Sequence, residues 1–263
     1  MIQLQIDMIN LKQFKIYETM RLAILSDIHS NLEALEAAFE DLQHQEIDVI
    51  YCTGDLVGYA TNPNEVISLL KQNNVRCVLG NHDYACIHTP VVDEMVRKAR
   101  LAIDYTRSIL LPENLNFLKE LPFFINENGV WLTHGLPPDS FDEYVDTQSK
   151  KELLAAFTSF NEKVAFVGHT HLIEIYELTE NGEIEEPFFN GDHYNFKPGS
   201  RYIISVGSVG QPRDDNREAG YLIYDTINQH VIKRRSIYPI DITIEKINTV
   251  ELLKANGFRL LKD

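Results

Sequence analysis

Cysteine is scarce in this 263-residue chain. The three present, Cys52, Cys77 and Cys86, are odd in number and match no zinc spacing, which argues against a disulfide framework. Cys52 and Cys77 sit inside apolar runs and read as small buried hydrophobes. Positive charge is also in short supply: 24 Lys and Arg against 39 Asp and Glu leave a formal net charge of −15. A chain this acidic lacks the basic field that duplex nucleic acid rewards, and anionic membrane surfaces would repel it. No uncharged apolar run approaches the roughly 18 residues of a membrane-spanning helix. The N-terminus has no basic segment followed by an apolar core, so no secretory signal is read and the expected location is the cytoplasm. An anionic substrate remains open, provided something local supplies positive charge.

What is present is ordinary globular usage, with 44% hydrophobic and 24% charged residues. Neither linker, repeat nor low-complexity segment breaks the chain, so one domain is expected over 20–263. Residues 1–19 are set apart as an N-terminal extension: an added strand, a flexible arm, or sequence ahead of the true start. Oligomeric state is not readable. The first half alternates strand and helix. Leu22 to Leu25 is a short buried-strand run. Ser30 and Glu33 form a capping-box pattern ahead of Leu32, Leu35, Phe39 and Leu42 at helical spacing. Val49 to Cys52 is the second strand, Asn62-Pro63 opens the next helix, and Val75 to Leu79 is the third strand. This order implies parallel strands with right-handed crossovers. Residues 84–120 read as mostly helical, a cap beside whatever site exists. Asn128-Gly129 marks a hairpin between 123–125 and 130–133. A helix is expected at 149–158, then strands at 164–167, 172–178, 202–206, 219–225 and 229–238. The switch from alternation to strand runs predicts two packed sheets with outer helices.

Five blocks directly follow predicted strands: Asp27-Ile28-His29-Ser30-Asn31, Gly54-Asp55, Gly80-Asn81-His82-Asp83, Thr133-His134-Gly135 and Gly168-His169-Thr170-His171. Ligand sites in α/β sheets lie at the carboxyl ends of strands, so five strands delivering oxygen and imidazole donors to one edge propose a single site. Asp, His and Asn suit borderline-hard divalent cations such as manganese, iron or zinc. In an extended segment residues two apart share a side, so Asp27/His29 and His169/His171 are each expected to present two ligands together. Alone, each block is weak: a Gly-Asp is usually a turn, and a lone His a hydrogen-bonded core residue. Jointly they take up five of the nine histidines, and that pattern has no ready structural explanation. Neither a G-x-S-x-G elbow nor a Walker A pattern points to other chemistry.

The motif order D-x-H, G-D, G-N-H-D, H-G, G-H-T-H over residues 22–171 resembles the calcineurin-like metallophosphoesterases. The tail Gly207 to Asp214 is similar to the ending of small prokaryotic members, including YfcE-like phosphodiesterases and enzymes that split diadenosine tetraphosphate. The resemblance implies an α/β fold, a four-layer α/β/β/α sandwich of two mixed sheets flanked by helices, with a small helical cap. It implies two divalent metal ions, manganese first, with iron or zinc as options. Asp27, His29 and His171 would hold one, Asn81, His134 and His169 the other, and Asp55 both. His82 would stand near the leaving-group oxygen, with Asp83 orienting it. The first block has Ser30 where many relatives have Gly, a position that is not a ligand. Two cations about 3.5–4 Å apart suit an in-line displacement on phosphorus, and they reconcile an acidic chain with a phosphate substrate.

Further candidates have two readings each. Arg213 either grips a phosphate bidentately or pairs with Asp214 or Asp215. Asn31 either contacts substrate or closes the helix start. Tyr59 and Tyr84 either stack on a base or pack. Residues 186–201 form either a loop over the site or a plain surface excursion. The function expected is hydrolysis of a small phosphate ester or nucleotide, as a phosphodiesterase or a nucleotide or dinucleoside polyphosphate hydrolase. The rivals are a scaffold on the same fold, a nuclease, and a protein serine/threonine phosphatase.

Overall fold

Alternating side chains in the first strand set the order of the layers. In β1 (Arg21–Leu25), Ala23 and Leu25 point into one buried cluster while Leu22 and Ile24 point into another. The first cluster is shared with the helices Leu32–Leu42 and Pro63–Gln72 through Leu35, Phe39, Val66 and Leu70. The second is shared with β6 (Val164–Val167) and β10 (Arg201–Val206) through Val164, Phe166, Tyr202 and Ile204. In β6 the alternation runs on outward: Ala165 and Val167 meet Leu153, Ala156 and Phe157 of the helix Lys150–Thr158. Strand periodicity of two thus stacks helix, sheet, sheet and helix into the expected four layers. This is a computed structural model, and it describes residues 20–92, 95–214 and 216–260. The extension 1–19 lies outside the described residues.

Each sheet has six strands. With β2 (Val49–Cys52), β3 (Arg76–Cys77), β9 (His193–Asn195), β11 (Ala219–Asp225) and β12 (His230–Ser236), the first runs β3-β2-β1-β11-β12-β9. With β4 (Phe124–Glu127), β5 (Val130–Thr133), β7 (Ile173–Leu178) and β8 (Ile184–Glu185), the second runs β4-β5-β6-β10-β7-β8. Both are mixed. β1, β2 and β3 are mutually parallel, and β5 is parallel to β6. All five strands preceding the motif blocks therefore fall into two parallel sets, and each set releases its blocks at one edge.

Three local expectations are corrected. Ser30 does not cap the first helix: Asn31 is the N-cap, its Oδ1 accepting from Ala34 N at 3.2 Å, while Ser30 Oγ accepts from Gly58 N. Asn62 does occupy the next N-cap position, with Pro63 following, but makes no side-chain cap bond. Instead its Oδ1 accepts from Thr61 Oγ1 and from Lys246 Nζ. The third strand is only Arg76–Cys77, because Leu79 N turns away to donate to Pro122 O. Two C-terminal helices, Ile240–Thr249 and Lys254–Leu260, were not anticipated. Ile240, Ile244 and Ile247 at helical spacing were the available signal. The 84–120 region is helical as expected, over Asn81–Ile87, Thr89–Val92, Arg97–Ile109 and Pro112–Lys119.

Candidate metal centre

The donor residues converge through kinked backbone, not extended backbone as the two-residue spacing suggested. Asp27, His29, Asp55, His169 and His171 all have positive φ, between 49° and 70°. Residues with a Cβ adopt this left-handed region at a cost of about 1–3 kcal/mol each, and persist there only when the surroundings enforce it. The enforcement is visible. Asp27 N donates to Gly54 O, His29 N to Asp55 O, and Gly210 N to Asp27 O. Asp27 and His29 do share one end of the site, but His169 and His171 part company, each serving a different end.

At one end lie Asp27, His29 and His171; at the other lie Asp55, His134 and His169. All are buried. His171 Nε2 is 3.1 Å from Asp27 Oδ1, and His29 Nε2 is 3.6 Å from it. Asp55 Oδ2 lies between the ends, 3.5 Å from both His29 Nε2 and His134 Nε2. Asn81 Oδ1 stands 3.2 Å from His134 Nε2. The other nitrogen of each ring decides its tautomer. His29 Nδ1 donates to Val57 O, His134 Nδ1 to Thr53 O and His171 Nδ1 to Gln211 O. A carbonyl can only accept, so each Nε2 carries a bare lone pair when the ring is neutral. His29 and His171 then face each other Nε2 to Nε2 at 3.1 Å, with the buried Asp27 Oδ1 beside them making no hydrogen bond. Lone pairs and a carboxylate oxygen at this spacing repel unless a positive charge lies between them. The donor set is the nitrogen and oxygen mixture that manganese, iron or zinc accepts. The residues fit a divalent metal pair. His169 is held the other way round, Nε2 donating to Asp142 O at 3.0 Å, which leaves Nδ1 as its basic nitrogen.

Electrostatics follow from the same packing. Burial alone would raise the carboxyls of Asp27 and Asp55, but the imidazoles around them win and hold both well below the usual carboxylate range. Burial pushes His82 and His169 down to about 3 and His171 to about 4, keeping them neutral. For His134 burial is outweighed by the negative charge of Asp55, and its value rises to about 9.

The remaining candidates divide. His82 lines the cavity beside Asp55, which accepts from His82 N through Oδ1 at 2.8 Å. Asp83 does not orient His82. Its carboxylate accepts from the backbone N–H groups of Leu56, Val57 and Gly80, and His82 Nδ1 makes no hydrogen bond. Asp83 therefore pins the loop carrying Asp55 to the start of the helix Asn81–Ile87. Asn31 is likewise held in the scaffold. Its amide donates to Gly210 O, its Oδ1 caps the helix, and it is absent from the cavity lining. Arg213 does line the cavity; its guanidinium reaches Thr170 O at 3.5 Å and its Nε has no partner. Asp214 pairs with Arg235 instead, and Asp215 lies outside the described residues. Tyr84 packs on His88 and Phe141, whereas Tyr59 lines the cavity beside the His29 and His82 rings. No described residue of 186–201 lines the cavity; β9 forms a sheet edge there and Phe196 packs into the cluster between the sheets.

Gly80 explains the glycine in its block. A Cβ there would land on Asp55 N and Oδ1, well inside van der Waals contact. Gly80→Ala is expected to displace Asp55 and lower kcat/KM at this site by about 10²-fold, the cost of roughly 1 Å of misplacement. Steady-state kinetics check this, and wild-type rates in the variant would show that Asp55 tolerates the shift.

Residues 20–229 match the calcineurin-like phosphoesterase superfamily domain. An uncharacterised protein of Methanocaldococcus jannaschii is 34% identical over 259 residues, covering 91% of this chain and 96% of its own. The crystal structure of a metallophosphoesterase from Sphaerobacter thermophilus is 34% identical, with a TM-score of 0.78, covering 92% of this chain and 99% of that one. A structure described as a candidate diadenosine tetraphosphatase has 19% identity and a TM-score of 0.50, covering 84% and 95%, and is alike in fold.

Proposed function

Since the chain belongs to the calcineurin-like phosphoesterase superfamily, and is in that sense a metallophosphoesterase, we propose that it hydrolyses small phosphate esters at a dinuclear metal site. The observation that carries this reading is the set of imidazole Nε2 atoms and buried carboxylates gathered on both sides of Asp55 Oδ2. Asp27, His29 and His171 would hold one ion, Asn81, His134 and His169 the other, and Asp55 would touch both. When bound, such ions, manganese first and iron or zinc otherwise, supply Lewis acidity to a phosphoryl oxygen and to an attacking water. The chain's own residues do the rest. His82, neutral and buried at the cavity wall, is placed to donate a hydrogen bond to the leaving-group oxygen. Arg213 offers its guanidinium to a phosphoryl oxygen and limits how the ester can turn. Asp83 keeps Asp55 and the Asn81 helix in register. The carbonyls of Val57, Thr53 and Gln211 fix which nitrogen each imidazole presents. The protein works as one domain over 20–263, in the cytoplasm, on a small soluble phosphate ester. A scaffold would have no use for seven converging donors, and the acid balance disfavours a duplex nuclease. Release of p-nitrophenol from bis-p-nitrophenyl phosphate with Mn²⁺ is the test. Turnover abolished by chelator is expected; no metal-dependent turnover on this ester or on dinucleoside polyphosphates would overturn the reading.

A further inference from the structure

The cavity in front of the metal centre has a volume of about 290 Å³. Small-molecule sites commonly run from ~300 to 1,000 Å³, so this one is small. Donor residues form one part of its lining. Much of the rest is apolar and comes from two segments: Val91, Met95, Val96 and Ala99 around the start of the helix Arg97–Ile109, and Phe141 and Tyr144 in the loop after β5. Val96 is 72% exposed and Tyr144 37%, so large apolar side chains stand open to solvent beside a polar site. Apolar surface left uncovered next to convergent polar groups marks a ligand contact. Arg213 is the only Lys or Arg among the described lining residues, and Asp142 adds an acid.

The apolar wall is braced from behind. Ala99 and Tyr59 share a buried cluster with Ile244, Ile247 and Leu253, and Asn256 Nδ2 donates to Tyr59 O. Those braces belong to the C-terminal segment, beyond the residues that match the superfamily domain. Superfamily membership alone therefore does not account for the shape of this wall.

Resting on the phosphoesterase reading above, we propose that the cavity selects a phosphate ester whose organic group is one compact apolar unit, an aryl ring or a branched alkyl group. That group contacts Val91, Met95, Val96, Phe141 and Tyr144 while the phosphate lies on the metal centre and Arg213. A dinucleoside polyphosphate fits poorly on two counts. Two nucleosides and a phosphate chain extend past this cavity into solvent, and the described lining offers a chain of phosphates one guanidinium, that of Arg213.

Calorimetric titration of the Mn²⁺-loaded full chain with phenylphosphonate and with methylphosphonate, neither of them hydrolysable, tests the proposal. Phenylphosphonate is expected to bind roughly tenfold tighter or more, the scale set by apolar group contacts in a pocket. Val96→Asp and Phe141→Ser are each expected to shrink that ratio by about threefold or more. Val96 occupies the N-cap position of its helix, where Asp is favoured, so the Val96→Asp chain is expected to fold. Equal affinities for the two phosphonates, measurable or not, or a ratio that both substitutions leave unchanged, would overturn it. A binding preference without hydrolysis of any ester would leave the cavity's selectivity standing and sink the phosphoesterase reading instead.

Discussion

Asp55→Asn is expected to lower kcat/KM on bis-p-nitrophenyl phosphate by about 10³-fold or more, a loss on the scale of removing one member of a cooperating catalytic set. Asp55 Oδ2 lies 3.5 Å from imidazoles of both ends of the site. An amide in its place keeps the acceptor that His82 N needs at Oδ1, so the local backbone has no reason to move. What it removes is the negative charge between the two ends of the site, and it sets an NH₂ or a neutral oxygen where a negative oxygen stood. Metal content of the purified variant should fall along with the rate, while far-UV circular dichroism stays as in the wild type. A variant that retains both ions and most of its activity would show that Asp55 does not serve both ends.

How much of this was legible beforehand depends on which force fixes each feature. The layers and most strands were readable because burial imposes a period of two on strands and 3.6 on helices, and Leu22 to Leu25 or Val164 to Val167 carry it openly. The seven donors were readable because each follows a strand end, and parallel strands bring such ends to one edge. The mode of convergence was not, because the left-handed φ of Asp27, His29 and His171 comes from distant hydrogen bonds such as Asp27 N to Gly54 O and not from any local preference. Asp83 was misjudged for a related reason. A carboxylate next to an imidazole in sequence suggests a pair, yet on a helix start neighbouring side chains point apart. Three backbone N–H groups with no other acceptor drew the carboxylate instead. The capping residue was displaced by one position because Ser30 Oγ was claimed by Gly58 N. The C-terminal helices had a periodic signal, but no motif drew attention to them.

Manganese is expected to raise the melting temperature by about 10 °C or more over the chelated protein. The sign follows from linkage: an ion that binds the folded chain and not the unfolded one stabilises by about 2.7 kcal/mol per site at a hundred times its Kd. For a protein of this size each kcal/mol moves the midpoint by about 2–4 °C, so two filled sites give a shift of that order. The metal-free site has reason to be a weak point of the fold. His29 Nε2 and His171 Nε2 stand 3.1 Å apart, Asp27 Oδ1 is buried without a hydrogen bond, and five of the donor residues sit in a costly backbone region. The same protein carrying Asp55→Asn should show well under half of the wild-type shift, since the oxygen between the two ends loses its charge. Differential scanning fluorimetry of both chains, with Mn²⁺ and with EDTA, reads these values directly. A wild-type shift under about 2 °C at saturating metal would mean either that the donors do not bind the ion or that the lone pairs are already neutralised by protons. In either case the strained backbone would be held by its hydrogen bonds alone, and the argument that this end of the sandwich is built to receive cations would fail.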